Sequence, residues 1–123
     1  MHFLEVNEEF LRKVVSINLD AVFWMCQEMI RRRLDKGGVI INVGSIEAIL
    51  PFVKNLAHYM ISKAGVIALT RSLAKEYGRH GFRVNAIVSG GIMTRGVKDT
   101  AKQILRLKIK LVGTAIEFMH RIP

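Results

Sequence analysis

From Phe10 to Ile30 the apolar residues recur at helical spacing: Phe10, Leu11, Val14, Val15, Leu19, Val22, Phe23, Cys26, Met29 and Ile30 form one wide stripe. Asn7 stands where it can cap that helix, and Glu8 and Glu9 fall in its electropositive first turn. Arg31, Arg32 and Arg33 lie near its C-terminal end, and Gly37-Gly38 stops it. The pattern then changes period. Gly38-Val-Ile-Ile-Asn-Val-Gly44 is short, β-branched and apolar on both sides, which predicts a buried strand of a parallel sheet with Ser45 at its C-terminal end.

A loop over residues 46–55, broken by Pro51, leads to a second helix that runs to Tyr77 with Gly78 as its stop. Ser62, Ala64, Gly65 and Ala68 are small enough for a neighbouring element to approach closely. Phe82-Arg-Val-Asn-Ala-Ile-Val88 then predicts a second buried strand, closed by Ser89-Gly90-Gly91. Two parallel strands joined by a helix form one right-handed βαβ unit. The expected class is α/β: a partial doubly wound (Rossmann) fold with about two parallel strands and flanking helices, in a single domain over 1–123. After the second strand, Ile104-Leu-Arg-Leu-Lys-Ile-Lys-Leu111 alternates apolar and basic like a strand, while Ile104, Leu107 and Leu111 also fit a helix.

Composition narrows the classes. The chain has 123 residues, half of them hydrophobic, enough for one modest core and too few for two. No apolar run is long enough to span a bilayer, and the acidic start Met-His-Phe-Leu-Glu-Val-Asn-Glu-Glu is unlike a signal peptide. The single cysteine, Cys26, reads as a core thiol, so a reducing cytoplasm is the expected location. The four histidines share no ligand spacing, and no metal site is expected. The net charge of +9 gathers at Arg31–Arg33 and from Arg95 to Lys110. Aromatic residues do not interleave with these clusters, so helix-end charge and a solvated face explain them better than nucleic acid does.

The chemistry centres on Tyr59 and Lys63 in Tyr-Met-Ile-Ser-Lys. Four residues apart on a helix, they share a face, and an ammonium beside a phenol favours proton exchange near neutral pH. Ligands of open α/β sheets bind beyond the C-terminal strand ends. Ser45 ends one strand, Gly90-Gly91 follows the next, and Tyr59 and Lys63 open the helix between them. A hydroxyl, a phenol and an ammonium around one crevice suit proton transfer to or from an alcohol or carbonyl. His58 points about 100° away from Tyr59 on a helix and is not assigned to that chemistry.

At these residues the sequence resembles the short-chain dehydrogenase/reductase family. The resemblance rests on Ile41-Asn-Val-Gly-Ser45, Tyr59-Met-Ile-Ser-Lys-Ala-Gly65, Leu69-Thr-Arg-Ser-Leu-Ala-Lys-Glu-Tyr-Gly78 and Arg83-Val-Asn-Ala-Ile-Val-Ser-Gly90, with Ser16-Ile-Asn-Leu19 upstream. It implies Tyr59 as general acid/base and Lys63 as the residue that holds the nicotinamide ribose. It implies Ser45 as a hydrogen-bond donor to the substrate oxygen, and Asn18 as the holder of a relay water. Ile92 and Thr94 match positions that contact the nicotinamide carboxamide. The implied activity is NAD- or NADP-dependent hydride transfer between a secondary alcohol and a ketone. Ile49, Leu50 and Phe52 would line the substrate pocket, with Glu47 as a polar handle.

The sequence also departs from the family. It contains no glycine-rich phosphate turn after a strand, and the strand expected before the first helix is missing. Ser89-Gly90 replaces the usual Pro-Gly, and the Ser45-to-Tyr59 interval is one residue longer than the commonest spacing. The chain resembles the central half of a family member, so the isolated chain is expected to be inactive or impaired without a cofactor half. The alternative is a non-catalytic module that only associates, or a basic polyanion binder. An open strand edge and the two long helices, which form the subunit interface in the family, lead to an expected homo-oligomer.

Overall fold

The computed structural model describes residues 1–91, and within them Met1–Gly90 cluster as one unit. The expectations for Ile92, Thr94 and the 104–111 segment lie outside the described residues.

After a short 3-10 turn (Phe3–Glu5), helix α1 spans Glu8–Val15. Asn7 Oδ1 accepts the Phe10 N–H at 2.8 Å, so the cap forms as the sequence dictates. The helix does not continue unchanged. Ser16–Asp20 form a π turn, and α2 resumes over Ala21–Arg32. The extra residue of a π turn rotates the stripe that follows it, a device frequent at functional sites. Arg32 and Arg31 both bond Glu28 at 2.6 Å, holding its exposed carboxyl below the usual carboxylate range.

Strand β1 covers Gly38–Ser45, α3 covers Ala57–Tyr77 and β2 covers Phe82–Ser89. The strands pair in parallel, in register from Gly38↔Phe82 to Ser45↔Ser89, as the expected two-stranded parallel sheet. The turn into the sheet needs glycine twice. Gly37 (φ 69°) and Gly81 (φ 78°) are both left-handed, and a Cβ on Gly37 would collide with the Gly81 main chain. Gly78, expected as the stop of α3, stays right-handed and begins a 3-10 turn, Gly78–His80. The left-handed residue comes three positions later.

The core lies between one sheet face and the helices. Cys26, Ile30, Ile40, Phe82 and Val84 are buried together, with Val22, Met29, Leu73, Ala74 and Tyr77 against them. A polar chain runs through it. Cys26 Sγ donates to Asn42 Oδ1 (3.6 Å), Asn42 Nδ2 to Thr70 Oγ1 (2.9 Å), and Thr70 Oγ1 to the Val66 carbonyl (2.8 Å). Burial pushes the Cys26 thiol pKa up.

The strands are not buried on both faces, as their apolar runs predict. Ile40 and Asn42 are buried while Val39, Ile41 and Val43 are exposed, because α2 and α3 cover one face and no described element covers the other. His58, not assigned to the chemistry, is a packing residue. It is buried edge-on against Phe10 (4.9 Å), between α1 and α3.

Candidate active site

Alternation along β1 decides which main-chain groups meet the site. Gly38 N–H bonds the Gly81 carbonyl, and Ser89 Oγ donates to the Gly44 carbonyl at 3.4 Å. Even-numbered residues therefore turn their peptide groups toward β2, and odd-numbered ones toward the open edge. Val43 is odd. Its carbonyl accepts Lys63 Nζ at 3.0 Å, which draws the ammonium to the C-terminal end of β1, two residues before Ser45.

Tyr59 and Lys63 lie in the first two turns of α3, with Lys63 Nζ 5.9 Å from the Tyr59 ring centroid. Behind them the π turn carries Asn18 onto the face of α3. Asn18 Nδ2 donates to Ser62 Oγ at 3.1 Å, and Ser62 Oγ donates to the Tyr59 carbonyl at 2.6 Å. Gly65 makes this approach possible, since a Cβ there would come within 2.7 Å of Leu19 Cδ2. Asn18 thus reaches α3 beside Tyr59 and Lys63, and it lines one cavity with Lys63 and another with Tyr59. Ser45 is buried at the strand end, where its Oγ accepts the Glu47 N–H at 3.3 Å.

Asn18 lies between two cavities. One of about 520 Å³ runs along the open edge of β1, with Asn18 and Lys63 among an otherwise mainly apolar lining from α2 and β1. The other, about 330 Å³, is lined by Phe10, Lys13, His58 and Tyr59 among others. The described residues contain no cluster of metal-ligating side chains, and none of their helices is long and apolar enough to cross a membrane.

The sequence marks Ser62 only as a small residue and gives no sign of its bonds to Asn18 and the Tyr59 carbonyl. The signal that would have found it is its place three residues after Tyr59, where a helical hydroxyl reaches the i−3 carbonyl.

The family profile described as enoyl-(acyl carrier protein) reductase matches residues 1–110. The chain belongs to the short-chain dehydrogenase/reductase family. It is similar to levodione reductase of Leifsonia aquatica, 41% identical over 93 residues, covering 75% of this chain and 34% of that protein. It is also similar to 3beta-hydroxysteroid dehydrogenase 1 of Eggerthella lenta, 45% identical over 85 residues, 68% of this chain and 32% of that one. Among solved structures, a short-chain dehydrogenase of Leptospira borgpetersenii with bound NAD+ superposes at TM-score 0.72 with 33% identity, covering 77% of this chain and 40% of that one. A 4-hydroxyisoleucine dehydrogenase complexed with NADH gives 0.73 and 30%, covering 84% and 46%. This member of the family therefore spans about a third of the curated relatives it matches.

Proposed function

We propose that this chain carries the proton-transfer centre of an NAD(P)-dependent oxidoreductase that interconverts a secondary alcohol and a ketone. The observation that carries the reading is Tyr59 and Lys63 one turn apart at the C-terminal end of β1, with Asn18 anchored behind them through Ser62. The relatives support it, and so do the NAD+ and NADH in the two similar structures.

The donor set suits the nicotinamide end of such a cofactor. Val43 takes one N–H of the half-buried Lys63 ammonium, and two remain for ribose hydroxyls. The 123 residues contain no glycine-rich turn for a pyrophosphate, so that end is assigned no residue. The cofactor, when bound, supplies or accepts the hydride. The protein's own groups handle the proton. Tyr59 gives it to the carbonyl oxygen in reduction and takes it from the alcohol in oxidation. Ser45 donates a hydrogen bond to the same oxygen as charge develops there. Asn18, oriented by Ser62, holds a water that connects Lys63 to solvent. Ile92 and Thr94 are the proposed carboxamide contacts.

The second reading, an association module without catalysis, draws on a different observation. Trp24 is exposed on α2 and Ile61 on α3, apolar positions suited to a homo-oligomer through the two long helices. Titration with NADH, followed by NMR, separates the two. The enzymatic reading expects saturable shifts at Asn18, Tyr59 and Lys63 with a Kd of about 1 mM, weakened in Lys63→Ala. No binding, or binding indifferent to Lys63, favours the module.

A further inference from the structure

Packing explains the His58 ring but leaves one of its atoms over. The ring meets Phe10 edge-on at 4.9 Å, between α1 and α3. His58 is only 9% exposed, and its Nδ1 is buried with no hydrogen-bond partner among the described residues. A polar atom so placed is costly unless something meets it. His58 lines the cavity of about 330 Å³ that Asn18 and Tyr59 also line. That volume is at the lower end of the roughly 300–1,000 Å³ of small-molecule sites. Neither Ser45 nor Lys63 lines it, which separates it from the crevice at the end of β1.

Three features of the wall agree in charge. Helix α3 begins here without a side-chain cap, Leu56 standing at the N-cap position. The first N–H of the helix to reach a carbonyl is that of Met60, on Leu56 at 2.8 Å. The N–H groups of Ala57, His58 and Tyr59 therefore form the positive end of a 21-residue helix. Lys13 adds an ammonium from α1; it is exposed and makes no ion pair among the described residues. His58, with its proton on Nδ1, adds a buried donor. Phe10, Val14 and Leu56 supply carbon to the same wall. Donors at one end and an apolar body at the other fit a carboxylate on a short hydrocarbon. Phosphate shares the charge and has no body for the apolar side.

We propose that the cavity between α1 and the N-terminus of α3 binds a small monocarboxylate with an apolar body. Its carboxylate meets His58 Nδ1 and the first N–H groups of α3, and Lys13 completes the charge. The site does not depend on the oxidoreductase reading.

The test titrates the full chain with hexanoate by NMR, with acetate, 1-hexanol and inorganic phosphate as comparisons. Hexanoate gives saturable shifts at the His58 ring and at the Ala57 and His58 amides. It binds at least about tenfold tighter than acetate, which lacks the body. It also binds tighter than 1-hexanol, which lacks the charge, and than phosphate. Lys13→Met keeps the stem and removes the charge; it weakens hexanoate about two- to fivefold and leaves 1-hexanol unchanged. His58→Phe keeps a ring against Phe10 and removes Nδ1; it weakens hexanoate about tenfold or more. If His58→Phe fails to fold, the wild-type series and the exposed Lys13 variant decide. No saturable shift, which leaves water as the cavity's occupant, overturns the proposal. So does hexanoate binding no tighter than acetate, 1-hexanol or phosphate, or binding indifferent to Lys13→Met.

Discussion

Asn18 and Ser62, 44 positions apart in the chain, are joined by a hydrogen bond of 3.1 Å that begins in a π turn and ends on a fully buried hydroxyl. Ser62 passes the connection on to the Tyr59 carbonyl. Ser62→Ala leaves the Asn18 amide without its acceptor, so it should destabilise the fold by about 1–3 kcal/mol in urea titration. Asn18→Ala removes the donor as well as its need for a partner and should cost about 1 kcal/mol. Equal losses, or none, would show that the bond does not hold the π turn against α3.

The two left-handed glycines should respond unequally. Gly37→Ala meets both positive φ and the Gly81 main chain, and should destabilise by about 2–4 kcal/mol. Gly81→Ala meets the φ alone, its nearest contact being an ordinary 3.6 Å, and should cost about 1–2 kcal/mol. The comparison is read from thermal or urea midpoints of the two variants.

Cys26 sets a pH dependence whose sign follows from burial. Its raised pKa means that the native state keeps the thiol proton longer than the unfolded chain does. The stability this contributes is complete below the ordinary thiol value of about 8.5 and falls as pH rises through the native value. Wild type should therefore lose more stability than Cys26→Ala between about pH 8.5 and 10. Parallel curves for the two proteins would contradict the burial argument.

Association offers a choice between two surfaces. Sedimentation at micromolar concentration should give a dimer or larger species. If the helices form the interface, Trp24→Lys lowers the mass to that of a monomer. Ile41→Pro should leave it unchanged, since position 41 turns its N–H to the open edge of β1 and proline there spares the ladder to β2. The reverse pattern would move the interface to the strand edge.

The elements were legible in the sequence because their signals are local. Asn7, the stripe from Phe10 to Ile30, and the β-branched runs before Ser45 and Ser89 each act within a few residues, and the strands came within a residue of their observed ends. The π turn was not legible, because the apolar stripe passes through Ser16–Asp20 without a break in type. Nor was the one-sided burial of β1, since an apolar run reads alike whether one face or two are covered. At the candidate site, motif spacing was enough to place Tyr59 and Lys63 in the first turns of α3, near the C-terminal end of β1. The bonds of Ser62, and those of the Glu47 carboxylate to the Phe52 and Val53 N–H groups, depend on contacts across the fold or across the loop, which spacing does not encode.

The central claim is that Tyr59 moves a proton to a carbonyl oxygen while a hydride arrives at its carbon. It is tested most directly by incubating the full chain with 4-deuterated NADH or NADPH and 2-octanone, and measuring deuterium at the carbinol carbon by mass spectrometry. That readout detects turnover far slower than an absorbance assay can follow. The account predicts deuterated 2-octanol from the wild type, reduced about 10²- to 10⁴-fold in Tyr59→Phe. Deuterated product formed equally by both proteins would contradict it.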